Sequence, residues 1–254
     1  MANKSVIFIT DFGNSHYAGI LHGVVLKYNP NANTIDLTHN ITPFAIVEAS
    51  YILSVSYGYF PQGSVFVAVV DPGVGTERDV LITLYKEYIF IAPDNGLLSP
   101  FLNEGKTFKL TNLRIFENTS NTFHGRDIFA PLAGLLSRGE PAEKFGVLKE
   151  NPTLIEWWSP QKLDNQTYQG IVLHTDRFGN AITNIPCSYL RNIREIRIKG
   201  VIIQDHFTSF GHAPYDTPFM YCGSSNFIEI ALRENNFAKK YGVNPLTPLL
   251  CILK

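Results

Sequence analysis

The 254-residue sequence predicts an α/β protein: an N-terminal three-layer α/β domain on a mostly parallel sheet, then a smaller β-rich domain, sheet or barrel. Three observations lead there. Ser5–Ile9, Ser64–Val70 and Tyr88–Ala92 are short runs apolar on both faces, as strands buried in a parallel sheet are. Up to about residue 150 such runs alternate with stretches of helical spacing, which implies helices layered on a sheet. Beyond residue 166 the segments are short, β-like and separated by turn residues.

Taken in order, Ser5–Ile9 is the first strand. Tyr17–Lys27 has helical spacing through Ile20, Leu21, Val24 and Val25, and Thr34–Thr38 reads as a short strand. Pro43–Tyr57 carries a rough apolar stripe (Ile46, Val47, Ser50, Ile52, Val55) and is expected to be helical. Asp127–Ser137 is the clearest late helix, with Ile128, Phe129, Leu132, Leu135 and Leu136 on one side and Gly139 just past its end. The Pro- and Trp-containing stretch 151–166 has no clean period and reads as a linker between domains 1–150 and 167–254. In the second domain Tyr168–His174, Ile193–Ile203, Phe227–Ala231 and Leu249–Leu253 are the expected strands.

An apolar content of 45% with 17% charged residues fits a globular chain. A net charge of −1 supplies no broad basic surface, so neither nucleic acid nor an anionic membrane is an expected partner. No apolar run nears the roughly 20 residues that cross a bilayer, and no signal-peptide pattern opens the sequence. Cys187, Cys222 and Cys251 are widely spaced and form no C-x-x-C pair; reduced core thiols in a cytoplasmic protein are expected.

The expected strands end in acids: Thr10-Asp11-Phe12-Gly13, Asp71-Pro-Gly-Val-Gly-Thr-Glu-Arg78, and Pro93-Asp94-Asn95-Gly96. Ligands of open α/β sheets bind beyond the carboxyl ends of the strands, so the three ends predict one shared site. In Asp71–Arg78 the glycines permit close approach of a ligand to backbone N–H groups; an Asp71–Arg78 ion pair across a tight loop is the plainer alternative. The Gly-Lys-Ser/Thr ending of a phosphate-binding loop is absent, as are a dinucleotide fingerprint around Gly13, Gly19 and Gly23 and a Gly-x-Ser-x-Gly elbow. His124 directly precedes the late helix, where the helix end disfavours imidazolium; it is either a neutral catalytic imidazole or structural. Asp127 is expected to serve the helix start. No His or Cys stands at metal-ligand spacing from His124, the other histidines are scattered, and no metal site is expected. Asp176-Arg-Phe-Gly-Asn180 is a plain turn or a grip for a zwitterion, and Gly223-Ser224-Ser225-Asn226 is a weaker turn of that kind.

In this order the segments TDFG (10–13), DLTHNITPF (36–44), VAVVDPGVGTER (67–78), APDNGLLS (92–99), TFHGRDIFAP (122–131) and DRFGNAITNI (176–185) closely resemble the S-adenosyl-L-methionine (SAM) hydroxide adenosyltransferases, or SAM hydrolases. These are relatives of the SAM-dependent fluorinase and chlorinase. The resemblance implies an N-terminal α/β domain, a C-terminal β-barrel-like domain and a homotrimer. SAM would bind between the N-domain of one subunit and the C-domain of its neighbour, and would be split by water into adenosine and methionine, with SAM as substrate and no cofactor. It implies a catalytic set of Asp71, Arg78 and His124. Asp11 would hold the ribose hydroxyls, and Asp176 and Ser224 the amino and carboxylate ends of methionine. Asn180 and the backbone at Leu232–Arg233 would face adenine, between Phe44 and Phe210. Two positions depart from the pattern: His16 stands where the family usually has an acid, with one residue fewer before Tyr17, and Ala45 replaces a common acid. The competing expectations are a SAM or adenosine sensor without turnover and a halogenase. The family's halogenases replace the aspartate and histidine that this chain keeps.

Overall fold

The computed structural model describes residues 4–112, 116 and 119–254; residues 1–3, 113–115 and 117–118 of the predicted first domain lie outside them. The chain divides into two compact units, Met1–Ile155 and Glu156–Lys254.

The first unit contains β1 (Ser5–Thr10), α1 (His16–Tyr28), β2 (Asn33–Thr38), α2 (Ile46–Ser56), β3 (Val65–Val69), β4 (Val80–Tyr85), β5 (Tyr88–Pro93), α3 (Ser99–Leu102), β6 (Lys106–Leu110), α4 (Ala130–Ser137) and β7 (Gly146–Leu148). The strands lie in the order β2-β1-β3-β5-β4-β6-β7. Alternation within β1 and β3 builds the layers. Val6, Phe8, Val65, Val67 and Val69 face a core shared with Leu21 and Val25 of α1 and Leu132 and Leu136 of α4. Ile7, Ile9, Phe66 and Ala68 face the opposite core with Ala49 and Leu53 of α2 and Phe101 of α3. Helices therefore cover both faces, as expected.

The sheet is mixed rather than mostly parallel. β2, β1, β3 and β5 run parallel, whereas the pairs β4–β5, β4–β6 and β6–β7 are antiparallel. The cause is local: Lys86-Glu87 closes a two-residue hairpin between β4 and β5, with Lys86 at φ 51°.

Two helices start differently from expectation. α2 begins at Ile46, because Phe44 stands in the left-handed region (φ 67°); the Glu48 carboxylate then accepts from the Thr42 N–H at 2.8 Å. The late helix opens as a π turn over Gly125–Phe129, in which the Ala130 N–H reaches the Gly125 carbonyl, before α4 proper. Pro131 has no N–H to give the Asp127 carbonyl, which removes an α-type bond at this point.

The second unit contains β8 (Gln161–Lys162), β9 (Thr167–Thr175), β10 (Ala181–Pro186), β11 (Ile193–Ile198), β12 (Val201–Ile203), β13 (Phe219–Cys222), β14 (Phe227–Ala231), α5 (Phe237–Tyr241) and β15 (Pro248–Leu253). The order β12-β11-β15-β9-β10-β14-β13 is antiparallel throughout, with β8 added beside β9. Ile196 and Ile203 from one end of this path share a core with Met220 and Ile230 from the other, so the sheet curls into a nearly closed barrel. The expected single strand Ile193–Ile203 is a hairpin, β11–β12, turned at Lys199-Gly200, both at positive φ. The cysteine expectation is also corrected. Cys187 and Cys222 form a disulfide, and only Cys251 is a free, buried thiol, pushed up to about 12 by burial.

Candidate active site

Asp71 and Arg78 face each other across the loop joining β3 to β4. The Arg78 Nε donates to both Asp71 oxygens at 3.0 and 2.9 Å, and its Nη2 donates to Oδ2. The side chains are only 5% and 10% exposed, so solvent screens this pair far less than a surface ion pair. The loop is folded on itself, with the Thr76 N–H and hydroxyl both donating to the Gly73 carbonyl at 3.1 and 2.7 Å. From the next strand end, the Asn95 amide donates to the Val70 carbonyl at 2.9 Å and braces the position where Asp71 leaves the sheet.

The tight-loop ion pair is thus present, and it extends to a third residue. Arg78 Nη2 lies 2.8 Å from His124 Nδ1. A guanidinium can only donate, so Nδ1 accepts and a neutral His124 carries its proton on Nε2. Burial, followed by the Arg78 charge, holds the His124 pKa below the usual imidazole value, against the opposite pull of Asp71 and Asp127. The imidazole is neutral at pH 7, mainly because it is desolvated rather than because it precedes a helix. The ring of Phe129, from the π turn, lies 5.6 Å from the Arg78 guanidinium carbon and backs it. Asp127 does not cap with its side chain; it accepts from the Ser120 N–H at 2.9 Å and pairs with Arg126, fastening the approach to His124.

Asp11 follows β1, whose Thr10 is in register with Val69 of β3, so Asp11 and Asp71 lie at the same carboxyl end of the sheet on adjacent strands. Its Oδ2 accepts the Phe44 N–H at 3.0 Å, which ties the Asp11 loop to an aromatic ring that is 69% exposed. Phe12, Tyr17 and Phe123 pack edge to face and join the loop after β1 to the segment carrying His124. Asp94, at the third strand end, is used differently: it pairs with Lys149 at 2.9 Å and accepts the Thr153 N–H at 2.7 Å. Ser15, in the loop after β1, has a buried Oγ with no hydrogen-bond partner among the described residues.

The remaining predicted residues lie in the second unit. Asp176, Asn180, Phe210 and Arg233 line an open cavity of about 880 Å³, together with Phe178, Tyr221, Leu232 and Asn236. Asp176 organises its own turn: it accepts from the Phe178 and Asn180 N–H groups at 3.0 and 2.8 Å, and from the Asn180 amide at 2.8 Å. The Arg233 guanidinium is engaged with the Ala213 carbonyl at 3.0 Å and stacks 4.2 Å from the Tyr215 ring, leaving its backbone as the part suited to a ligand. Ser224 is exposed in the 223–226 turn between β13 and β14 and does not line this cavity. Phe178, 76% exposed, and Phe210, 40% exposed, present flat apolar faces beside amides, the combination that suits a planar nucleobase. Phe178 was inside a quoted motif; its exposure at the tip of the turn is what distinguishes it.

Comparison with known proteins identifies the family of both parts of the chain. The SAM hydroxide adenosyltransferase N-terminal domain matches residues 6–146, and the C-terminal domain of that family matches residues 170–249. An (R)-S-adenosyl-L-methionine hydrolase of Thermus thermophilus is 32% identical over 97% of this chain and 98% of its own. One of Methanocaldococcus jannaschii is 37% identical over 71% of this chain and 66% of its own, and a fluorinase of an Actinoplanes species is 25% identical over 72% of each. The crystal structure of an uncharacterized conserved protein from Thermotoga maritima superposes with a TM-score of 0.86, at 32% identity over 97% of this chain and 99% of that one. With both domain families matched in order along one chain, this protein belongs to the SAM hydroxide adenosyltransferase family.

Proposed function

We propose that the protein hydrolyses SAM to adenosine and L-methionine, by in-line attack of water on the ribose C5′ carbon. The observation that carries this reading is the bonding of one guanidinium, Arg78, to both Asp71 and a neutral His124. The relatives named (R)-S-adenosyl-L-methionine hydrolases point to the R configuration at sulfur as the preferred epimer.

In this reaction a C5′–O bond forms while the C5′–S bond breaks, and sulfur leaves with the bonding pair as a neutral thioether. No general acid is needed for that departure, and the chemistry uses no cofactor. The site must instead align a water and accept its proton. His124, protonated on Nε2, orients the water by donating to its oxygen. Arg78 stabilises hydroxide character at that oxygen, and Asp71, held against Arg78, takes the proton as the C–O bond forms. Asp11 holds the ribose hydroxyls, and the Phe178–Phe210–Asn180 cavity takes adenine. Because these groups fall in two units, we further propose a homotrimer in which the first unit of one copy meets the second unit of its neighbour around SAM. We assign the protein to the cytoplasm. Among the described residues no helix is long and apolar enough to cross a membrane. The Cys187–Cys222 disulfide bears against that assignment, since such bonds persist mainly in oxidising compartments.

The test is incubation with each sulfonium epimer of SAM in ¹⁸O-water, with and without chloride. Labelled adenosine and methionine from the R epimer are expected. A 5′-chloro product would make the protein a halogenase, and intact bound SAM would make it a sensor.

A further inference from the structure

Outside the proposed catalytic set, His22 of α1, Asp36 of β2 and His39, just beyond β2, converge, with their donor atoms all within 4.8 Å of one another. His22 Nε2 lies 2.7 Å from Asp36 Oδ1, and His39 Nε2 lies 2.8 Å from the same oxygen. These are two different contacts. The first has hydrogen-bond geometry. The second does not: His39 Nε2 is buried without a hydrogen-bond partner among the described residues, in a side chain only 10% exposed. A buried imidazole nitrogen beside a carboxylate oxygen, but not directed onto it, is arranged to meet a third atom. Nδ1 of the same ring is fixed by the Thr10 hydroxyl at 2.7 Å, the outer contact that settles the orientation of metal-ligating histidines. Phe8 packs against both rings, with centroids 5.0 Å from His22 and 6.5 Å from His39, and keeps that side of the cluster dry.

From these contacts we infer that His22, Asp36 and His39 form a binding site for a divalent cation of the zinc type. Two imidazoles and one carboxylate are ligands that zinc accepts, and Asp36, 44% exposed, leaves the fourth position open to water. Tetrahedral bonds of about 2.0–2.1 Å place neighbouring ligand atoms about 3.3 Å apart. The two His–Asp36 separations must therefore widen by roughly half an ångström, which rotation of the two outer side chains, His22 and Asp36, supplies. The bound ion joins α1 to the end of β2 next to Thr10, one residue before Asp11. It acts as a clip on the strand end that carries the site and takes no part in the chemistry proposed there.

Untagged protein, stripped with chelator and dialysed against Zn²⁺, is expected to retain one zinc per chain by elemental mass spectrometry. Co²⁺ in its place should give the visible absorption of a four-coordinate site. His22→Ala should weaken Zn²⁺ binding by about tenfold or more. His16→Ala, which removes an exposed histidine from the same helix, should leave it unchanged. Thermal unfolding in chelator shows that the variants are folded, and in Zn²⁺ the midpoint should rise for wild type but not for His22→Ala. Failure of folded wild type to take up metal, or equal uptake by His22→Ala, overturns the inference whatever the fate of SAM hydrolysis.

Discussion

His124 accepts a hydrogen bond from a permanent cation, which fixes its behaviour with pH. Burial and Arg78 both favour the neutral ring, so protonation is displaced to pH values below the ordinary imidazole value of 6.5. kcat/KM is therefore expected to hold through neutrality and to fall only below about 6.5, as Nδ1 protonates and repels Arg78. The same shift affects stability. The unfolded chain takes up this proton before the folded one does, so the stability due to the neutral ring is complete above 6.5 and is lost as pH falls toward the folded value. A pH–rate profile, with NMR titration of the His124 ring, checks both; a limb lying above 6.5 would contradict the arrangement. His124→Ala and Arg78→Met should lower kcat by about 10²–10⁴ while SAM binding stays measurable by calorimetry. Loss of binding with turnover retained would reverse the roles. The set Asp71, Arg78 and His124 was legible through the family resemblance of the motifs at 67–78 and 122–131, since position alone left an ion pair and a structural histidine open. Asp94, at the third strand end, is engaged by Lys149 and Thr153, a pairing that no spacing rule announces.

Backbone approach joins side-chain contacts in holding these residues in place. Gly75, at φ 80°, is where the Asp71–Arg78 loop meets the carbonyl oxygen of Asn121, three residues before His124, and a methyl group there would overlap that oxygen. Gly75→Ala adds the cost of a left-handed alanine, roughly 1–2 kcal/mol, and the exposed loop relieves the overlap by moving away. That movement separates Arg78 from His124. The expected result is at least a tenfold loss in kcat with thermal stability lowered by only a few degrees. Gly73→Ala is the control, because its nearest neighbours would sit at 3.4–3.5 Å, ordinary contact, and its φ is not positive. Equal kinetic effects in the two variants would remove the loop contact from the account. The elements missing from the sequence reading have physical reasons too. β6 begins and ends near lysines, and its Thr107 hydroxyl is paired with that of Thr83 inside the sheet, so neither β4 nor β6 shows an uninterrupted apolar run. Without those two strands, the antiparallel half of the first sheet could not be seen.

At the scale of the molecule, the residues proposed to bind and split SAM fall into two self-contained units, each with its own core. Asp71, Arg78, His124 and Asp11 belong to the first; the aromatic cavity belongs to the second. The proposed trimer makes a quantitative claim about how such halves combine. Take His124→Ala, inactive in its first unit, and Phe178→Ala/Phe210→Ala, impaired in its second. If each site joins the first unit of one copy to the second unit of the next, random co-assembly at equal amounts leaves about one site in four with both halves intact. Coexpressed variants should then recover about a quarter of wild-type turnover, although each alone is nearly inactive. If both halves of a site come from one chain, every site in the mixture carries a defect and no activity returns. Light scattering coupled to gel filtration supplies the second measurement, with three copies expected. A monomer that still hydrolyses SAM would refute the shared site while leaving the Asp71–Arg78–His124 chemistry in place.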